Sequence, residues 1–395
     1  MDKKTIFRIG FIIIISVVMN IYNGNNFAQA GAKSGKGDTT GNRLYEMSDE
    51  NDIGWLLKNY DSVNSSWTML KLPDTGQRQS YTGIFGEDSD YSINPPSYTK
   101  LDANGNELPS WATEWVMVRD NVTGLIWEVK SDDWSIHDKD NKYTWYDGNP
   151  DTNRGNAGTF GNGTDTEHFI QALNDERFGG FSDWRLPSRE ELHSIIDYGT
   201  WKPPIDRTYF PNTVVTEYWT GDGIMDYAWI MDSVIGYSNC YDKSGSYSVR
   251  AVRGGQSGTF HNLATNGDGT VTDTSTGLMW EQKTDDGGDN NKDRTYNWEE
   301  ALSWVENLNN SNYLGYSDWR LPNIKELASI VDLRRTNPSI DRRYFPNTVS
   351  SVYWSSTTTH YSPEGTWILM FDSGLIFRST KSNSSHHVRA VRGGQ

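Results

Sequence analysis

The chain has 395 residues, of which 52 are acidic and 36 are basic, and its formal net charge at pH 7 is −16. An acidic excess of this size repels a phosphate backbone, which excludes nucleic acid as a favoured partner. The single cysteine, Cys240, excludes an intramolecular disulfide. Domains usually contain about 100 to 200 residues, so the length predicts two domains and a short additional segment.

The first 30 residues have the pattern of a secretory signal peptide. Basic residues at positions 3, 4 and 8 precede an apolar run over 9–19, and an Ala-Gln-Ala cleavage pattern ends at Ala30. The apolar run is shorter than the roughly 20 residues that span a bilayer, which disfavours the alternative of an uncleaved anchor. We therefore expect the mature protein to be exported, to the periplasm, the cell surface or the medium, without a transmembrane segment.

An internal repeat dominates the remainder of the chain. Its blocks recur in the same order, with 123–127 as 276–280, 183–187 as 318–322, 209–213 as 344–348 and 249–256 as 388–395. A repeat of this length is a whole domain, because the units of solenoids are far shorter. The predicted organisation is a signal peptide over 1–30, a flexible Gly-, Ser- and Thr-rich lead over 31–70, copy 1 over 71–256 and copy 2 over 257–395.

The patterns within each copy predict an α+β fold. Short β-prone runs alternate with Gly and Asn turns, which favours antiparallel sheets. The Ser-x-x-Glu capping box at 188–191 and the Asn-x-x-Glu pattern at 323–326 predict a helix after the second block of each copy. Another helix is predicted over 298–308 and, from a weaker pattern, over 167–173. Each copy should thus contain one or two helices.

Together these blocks resemble the Lcl C-terminal domain family of exported bacterial proteins. The resemblance covers both copies and rests on the NVTGLIW motif at 121–127, the WRLP motif that leads into a helix, the Tyr-Trp pairs at 218–219 and 353–354, and the closing VRAVRGG motif. It implies two tandem C-type-lectin-like domains, related in fold to the formylglycine-generating enzymes that modify sulfatases. It also implies an adhesin-like role with sulfated polysaccharide as the ligand class. The acidic net charge opposes such a ligand except where a local basic patch overrides the field.

Tryptophans and arginines recur at matched positions in the two copies. The matched tryptophans are Trp127 with Trp280, Trp145 with Trp298, Trp184 with Trp319, Trp219 with Trp354, and Trp229 with Trp367. We expect them to pack in the cores rather than to stack on sugars, because a buried Trp removes a large apolar surface from water. The matched arginines are predicted to be structural, bound to carboxylates or carbonyl groups; they are Arg185 with Arg320, Arg250 with Arg389, and Arg253 with Arg392.

The copies differ in the loop that precedes 209–213 and 344–348. In copy 1 this loop offers an aromatic platform, Trp201 with Tyr198 beside it. In copy 2 it offers arginines whose guanidinium groups could hold carboxylate or sulfate in bidentate fashion, namely Arg334, Arg335, Arg342 and Arg343. Ordinary solvated or ion-paired surface charge is the alternative interpretation of these arginines. We predict that an extracellular glycan or surface polymer binds at this loop in at least one copy.

An acidic loop precedes the second matched tryptophan of each copy. Carboxylate and amide oxygens of this kind suit calcium, for which the candidate ligands are Asp138, Asp140 and Asn141 in copy 1 and Asp289 and Asp293 in copy 2. The copy 1 loop begins like an EF-hand but lacks the Gly at its sixth place and the Glu at its twelfth. A solvated loop that needs no ion is the alternative, so calcium is an optional cofactor and no other cofactor is expected.

The sequence offers little for catalysis. The seven histidines do not recur between the copies, and no HExxH motif is present. Cys240 has no counterpart in copy 2, so the cysteine chemistry of the sulfatase-modifying enzymes does not transfer to this chain. We expect a binding protein and no enzymatic activity. An envelope hydrolase or modifying enzyme and a purely structural surface protein are the alternatives.

Overall fold

The computed structural model describes residues 66–68, 71–258, 262–382 and 385–394. The predicted signal peptide and nearly all of the predicted lead lie outside these residues. Within the described residues, no helix combines the length and the apolar character that crossing a membrane requires.

The described residues contain many short strands and four α-helices. The strands in chain order are β1 (Ser66–Thr68), β2 (Tyr98–Leu101), β3 (Met117–Asp120), β4 (Ile126–Glu128), β5 (Tyr143–Thr144), β6 (Glu217–Ile224), β7 (Tyr227–Asp232), β8 (Ser238–Asp242), β9 (Ser246–Tyr247), β10 (Val252–Arg253), β11 (Gln256–Gly258), β12 (Leu263–Thr265), β13 (Thr270–Asp273), β14 (Leu278–Glu281), β15 (Val352–Thr358), β16 (Gly365–Met370), β17 (Leu375–Thr380) and β18 (Val391–Gly393). The α-helices are α1 (Thr166–Asp175), α2 (Arg189–Ser194), α3 (Trp298–Asn310) and α4 (Ile324–Ser329), and 3-10 turns lie at Asp88–Asp90, Phe178–Gly180 and Tyr313–Gly315.

Each copy contains a small antiparallel sheet that its last block completes. The strand order is β10-β4-β3-β2 in copy 1 and β12-β13-β14-β18 in copy 2. Trp127 lies opposite Val252, and Trp280 lies opposite Val391, so the two sheets share one register. The first and last repeated blocks therefore recur together because they are neighbouring strands. The prediction of an α+β fold with antiparallel sheets is confirmed.

A six-stranded antiparallel sheet joins the two copies, in the order β15-β16-β17-β8-β7-β6. The copies meet where β17 pairs with β8, at Ile376 and Ser238. Nearby, Lys325 of α4 donates from Nζ to the carbonyl groups of Ser194 in α2 and of Asp74, at 2.8 Å each. We call this junction between the two copies the seam. It consists of the pairing of β17 with β8 and of the helices α2 and α4, each of which follows a WRLP motif. The remaining strands form the pairs β5-β9 and β1-β11.

The helices begin where the capping patterns predict. Ser188 Oγ accepts the N–H of Glu191 at 3.1 Å, and the Glu191 carboxylate accepts the N–H of Ser188 at 2.9 Å. Asn323 and Glu326 repeat this reciprocal pair at the start of α4. Helices α1 and α3 cover the ranges predicted for them and extend one or two residues further. Such caps satisfy the free N–H groups of the first turn.

The matched tryptophans all lie in the cores, as predicted. Their exposed fractions do not exceed 4% in either copy. The matched arginines are structural as well. Arg185 and Arg320 bind Glu191 and Glu326, respectively. The remaining matched arginines bind the carbonyl groups of Glu128 and Glu281 and the carboxylates of Asp183 and Asp318.

Residues 71–97, which we call the strap, precede the first small sheet of copy 1 but contact copy 2. Gln77 accepts the backbone N–H of Thr358 at 2.7 Å, and Asn94 donates from Nδ2 to the carbonyl of Gly394 at 2.7 Å. The strap also contacts copy 1, where the Thr75 carbonyl accepts a backbone N–H at 2.8 Å. The strap therefore ties the two copies together.

Candidate functional site

The predicted aromatic platform lies at the seam. Trp201 is 46% exposed and stacks on Tyr361 of copy 2, with ring centroids 6.1 Å apart and an interplanar angle of 27°. Lys202 Nζ lies 4.7 Å from the Trp201 ring centroid, and the Arg378 guanidinium lies 5.8 Å from that of Tyr361. Both copies therefore contribute to this surface, which the sequence assigned to copy 1 alone.

Tyr198 is not part of the platform, and the prediction that it flanks Trp201 at the surface is wrong. Its side chain is 2% exposed. The hydroxyl lies 2.6 Å from His193 Nε2 and donates to the Gly236 carbonyl at 2.9 Å. Tyr198 thus belongs to the core, because its ring is buried and its polar atom is satisfied by the protein.

The arginines of the copy 2 loop are largely ion-paired. Arg334 and Arg335 bind Asp332 at 2.7 and 2.9 Å, and Arg343 binds Asp341 at 2.6 Å. Burial alone raises the pKa of Asp332, but the hydrogen bonds from the arginines outweigh it and lower the pKa below its ordinary value. Arg342 is exposed, with no carboxylate within ion-pair distance among the described residues. This loop therefore resembles the ion-paired alternative more than an open anion site.

In the copy 1 acidic loop, carboxylate oxygens of Asp132, Asp138 and Asp140 lie within 4.8 Å of one another. The Asp138 carboxylate already accepts backbone N–H groups, those of Asp133, Trp134 and Asp140. Lys139 binds Asp132 and Asp140 through its ammonium group. Asn141 turns its amide toward the Ser135 carbonyl. Protein groups thus satisfy these side chains, which favours the solvated loop over calcium.

The copy 2 loop does not reproduce this grouping. Asn291 stands where copy 1 has Asp138, and Lys292 again binds the first carboxylate, Asp285. Asp289 and Asp293 are exposed and belong to no such cluster among the described residues. The structure therefore does not bring the predicted copy 2 ligands together.

A groove of about 1000 Å³ in copy 2 was not predicted from the sequence. It lies between helix α3, the 289–297 loop and Ile84 of the strap. Its floor is the pair Tyr296 and Trp304, whose rings stack with centroids 6.0 Å apart and an interplanar angle of 29°. The Tyr296 hydroxyl donates to the Asp289 carbonyl at 3.2 Å. The groove thus has a fixed aromatic floor.

Hydroxyl, amide and carboxylate groups form the rim of the groove. Asn297 and Glu300 bind each other's backbone N–H groups at 2.9 Å in the capping box of α3. Ser303 and Asn307 follow along the helix, and Glu299 stands beside them. In the part of the chain that the structure describes, no Lys or Arg lines the groove. A few polar groups around an aromatic floor is the usual composition of a ligand site.

The counterpart of the groove floor is buried in copy 1. Trp219 donates from Nε1 to the Tyr143 carbonyl just as Trp354 donates to that of Tyr296, so Tyr143 is the counterpart of Tyr296. Tyr143 and its ring partner Phe169 are both buried. One signal in the sequence could have identified this difference. The repeat offset falls from 153 at the first block to 135 at the second, so copy 2 lacks 18 residues there.

Comparison with known proteins agrees with the repeat. Residues 116–253 and 269–392 each match the family model described as the Lcl C-terminal domain. Together the two matches cover more than half of the chain. No curated protein matches the chain.

Proposed function

Because the chain belongs to the Lcl C-terminal domain family in two tandem copies, we propose that it is an exported, adhesin-like protein that binds an extracellular glycan or surface polymer in the copy 2 groove. The observation that carries this proposal is the stacked pair Tyr296 and Trp304 beneath a rim of amide and hydroxyl groups. Sugars offer an apolar ring face and many hydroxyl groups, and this groove complements both. The platform of Trp201 and Tyr361 is a second contact surface for a long polymer.

The chemistry of the chain supports binding rather than catalysis. Burial raises the pKa of the Cys240 thiol, which disfavours the reactive thiolate. A purely structural role has its own support in the tight seam. Against that role, Trp201 and Arg343 stay exposed, although a surface used only for packing the copies together would bury them.

The proposal is tested by screening the chain from residue 31 onward on an array of glycans and envelope polymers. We expect binding to weaken about tenfold or more in Tyr296→Ala, because an aromatic anchor at the centre of a site carries much of the affinity. Tyr296→Phe is the matched control, since it keeps the stacking ring and loses only the hydroxyl. Each variant is first checked for folding by circular dichroism.

Further variants distinguish binding in the groove from binding at the Trp201 platform and at the arginine loop of copy 2. Trp201→Ala should weaken only long polymers, and replacing Arg334, Arg335, Arg342 and Arg343 together by Ser should leave groove binding intact. An array without signal from folded protein contradicts the proposal. Shortening of the bound polymer, measured by sizing it after elution, would instead support the hydrolase alternative.

A further inference from the structure

The lining of the copy 2 groove is acidic. Asp289, Glu299 and Glu300 are exposed carboxylates in its lining. None of them lies within ion-pair distance of a basic side chain among the described residues, although Arg294 follows closely in the chain. The Arg294 guanidinium instead contacts the carbonyl groups of the preceding glycines, Gly287 and Gly288. Among the described residues, no cation lines the groove to hold sulfate or carboxylate, although Lys381 interacts electrostatically with Glu299 from outside the lining.

Copy 1 uses its corresponding acidic groups internally. The offset of 135 makes Asp165 the counterpart of Glu300. The Asp165 carboxylate accepts the N–H of Gly161 at 2.8 Å and contacts the His168 ring at 2.8 Å. The neighbouring Glu167 accepts the N–H of Gly148. Both interactions use the 18-residue insertion, which lies between Trp145 and Asp165 and which copy 2 lacks. In copy 2 the Glu300 carboxylate caps α3 and also lines the groove, and the Glu299 carboxylate stands beside it.

The floor of the groove also contains an unsatisfied donor. Trp304 is only 4% exposed and lines the groove, yet its indole N–H has no hydrogen-bond partner among the described residues. Buried polar groups are normally paired, but this indole nitrogen is covered by the protein and is not open to the groove, so it is the ring of Trp304 that the groove presents.

From these features we infer that the groove binds a polymer of amino sugars that carry free amines. This inference rests on the proposed function and specifies its ligand class. The ammonium groups pair with Asp289 and Glu299, the sugar ring stacks on Tyr296, and the amide and hydroxyl rim binds the remaining hydroxyls. Ammonium groups also interact favourably with the faces of aromatic rings. A lysine-rich peptide shares the positive charge, but it lacks the ring that the aromatic floor fits.

The test compares binding of a short glucosamine oligomer with that of its fully N-acetylated form, below the pKa of the amines. We expect the free amine form to bind about tenfold more tightly and to lose that advantage in the double variant Asp289→Asn, Glu299→Gln. Added salt should weaken only the free amine form. Glu306→Gln is the matched control, because Glu306 is exposed on α3 but does not line the groove.

The possible outcomes separate the two proposals. Equal binding of both oligomers, lost in Tyr296→Ala, would overturn the inference and leave the proposed function intact. Tighter binding of a sulfated oligomer at the groove would also overturn it. If neither oligomer nor any array polymer binds to folded protein, the proposed function is wrong as well. Binding of a lysine peptide alone would show that the ligand is not a glycan.

Discussion

Asp88 is a strap carboxyl group buried between two hydroxyls, those of Thr75 and Thr357, which donate to it at 2.6 Å each. Burial raises the pKa of Asp88 to about 7, and repulsion by Asp74 adds to the shift. Its other charged neighbours are Glu326, Lys325 and Arg320. The ordinary value is 3.8. Folded protein therefore keeps a proton on Asp88 over a pH range in which the unfolded chain has lost it.

The stability of the protein should consequently fall as the pH rises. A group whose folded pKa is raised stabilises the fold fully below its unfolded value and loses this contribution as the pH passes the folded value. Asp222 acts in the same direction, because burial raises its pKa to about 7 as well. We expect Asp88→Asn, which cannot ionise, to raise the melting temperature by roughly 3 °C at about pH 8 and to change it little at about pH 4.

Scanning fluorimetry across this range checks the expectation, with Asp151→Asn as the control because Asp151 is exposed. If Asp88→Asn melts with the same pH dependence as the unmodified chain, Asp88 is not the titrating group.

At lower pH the stability depends on a different residue, Glu128. Burial alone raises the pKa of Glu128, but Lys130 and His137 outweigh it and lower the value to about 2. Glu128 thus loses its stabilising contribution as the pH falls below 4.5 toward that value.

At the scale of elements, the insertion of copy 1 and the strap occupy similar positions. Lys243 Nζ lies 4.1 Å from the Trp145 ring centroid, and Lys381 Nζ lies 3.9 Å from that of Trp298. In copy 1 the insertion supplies two carbonyl acceptors to the lysine, at 3.1 and 2.6 Å. In copy 2 the strap supplies the Glu87 carboxylate at 3.9 Å and the Tyr81 ring, whose centroid lies 6.0 Å from Lys381 Nζ. Lys243 and Lys381 therefore occupy equivalent positions, but Lys243 donates hydrogen bonds to two carbonyl groups, whereas Lys381 has a distant carboxylate and an aromatic ring from the strap.

The two lysines therefore make a matched pair of substitutions. Burial lowers both pKa values to about 8, so the penalty for desolvating the charge is similar. Lys243→Met removes the ammonium donor from both carbonyl groups, of which that of Asn153 keeps the backbone N–H of Asn156, and should lower the free energy of unfolding by about 1 to 3 kcal/mol. Lys381→Met breaks no direct hydrogen bond among the described residues and should change it by less than about 1 kcal/mol. Urea titration measures both, and equal losses would contradict this explanation.

Elements defined by local signals could be predicted from the sequence, whereas contacts made over long distances could not. The capping boxes of α2 and α4 lie within four residues, so the helices they start were predicted correctly. The groove depends on Ile84 and Tyr296, which lie far apart in the chain. Tyr198 and Trp201 are three positions apart and both aromatic, and nothing local distinguishes the buried ring from the exposed one.

At the scale of the whole molecule, the shared sheet and the strap make the two copies interdependent. Strands from both copies form one six-stranded sheet, and α2 and α4 contact each other through Lys325. We expect calorimetry of the full chain to show a single unfolding transition, because neither copy can lose its structure without exposing the other's buried surface. Two resolved transitions would contradict this.

Residues 257–395 expressed alone provide a second measurement. They lack the strap, so the Thr358 N–H and the Thr357 hydroxyl, which donate to Gln77 and Asp88, would be exposed to solvent. We expect this fragment to melt at least about 10 °C below the full chain, or to be unfolded at room temperature. The same melting temperature in both would show that the strap contributes nothing to copy 2.

The path of the strap also imposes an order on biogenesis. The ribosome makes Asn94 before the first small sheet of copy 1, whereas its acceptor, the Gly394 carbonyl, is made only after nearly all of copy 2. During synthesis, this hydrogen bond therefore cannot form until some 300 further residues have been added, and the polar groups of the strap are hydrated until then. A duplicated domain usually leaves each copy able to mature alone. Here, deleting either copy would leave the other without contacts that it makes in the full chain.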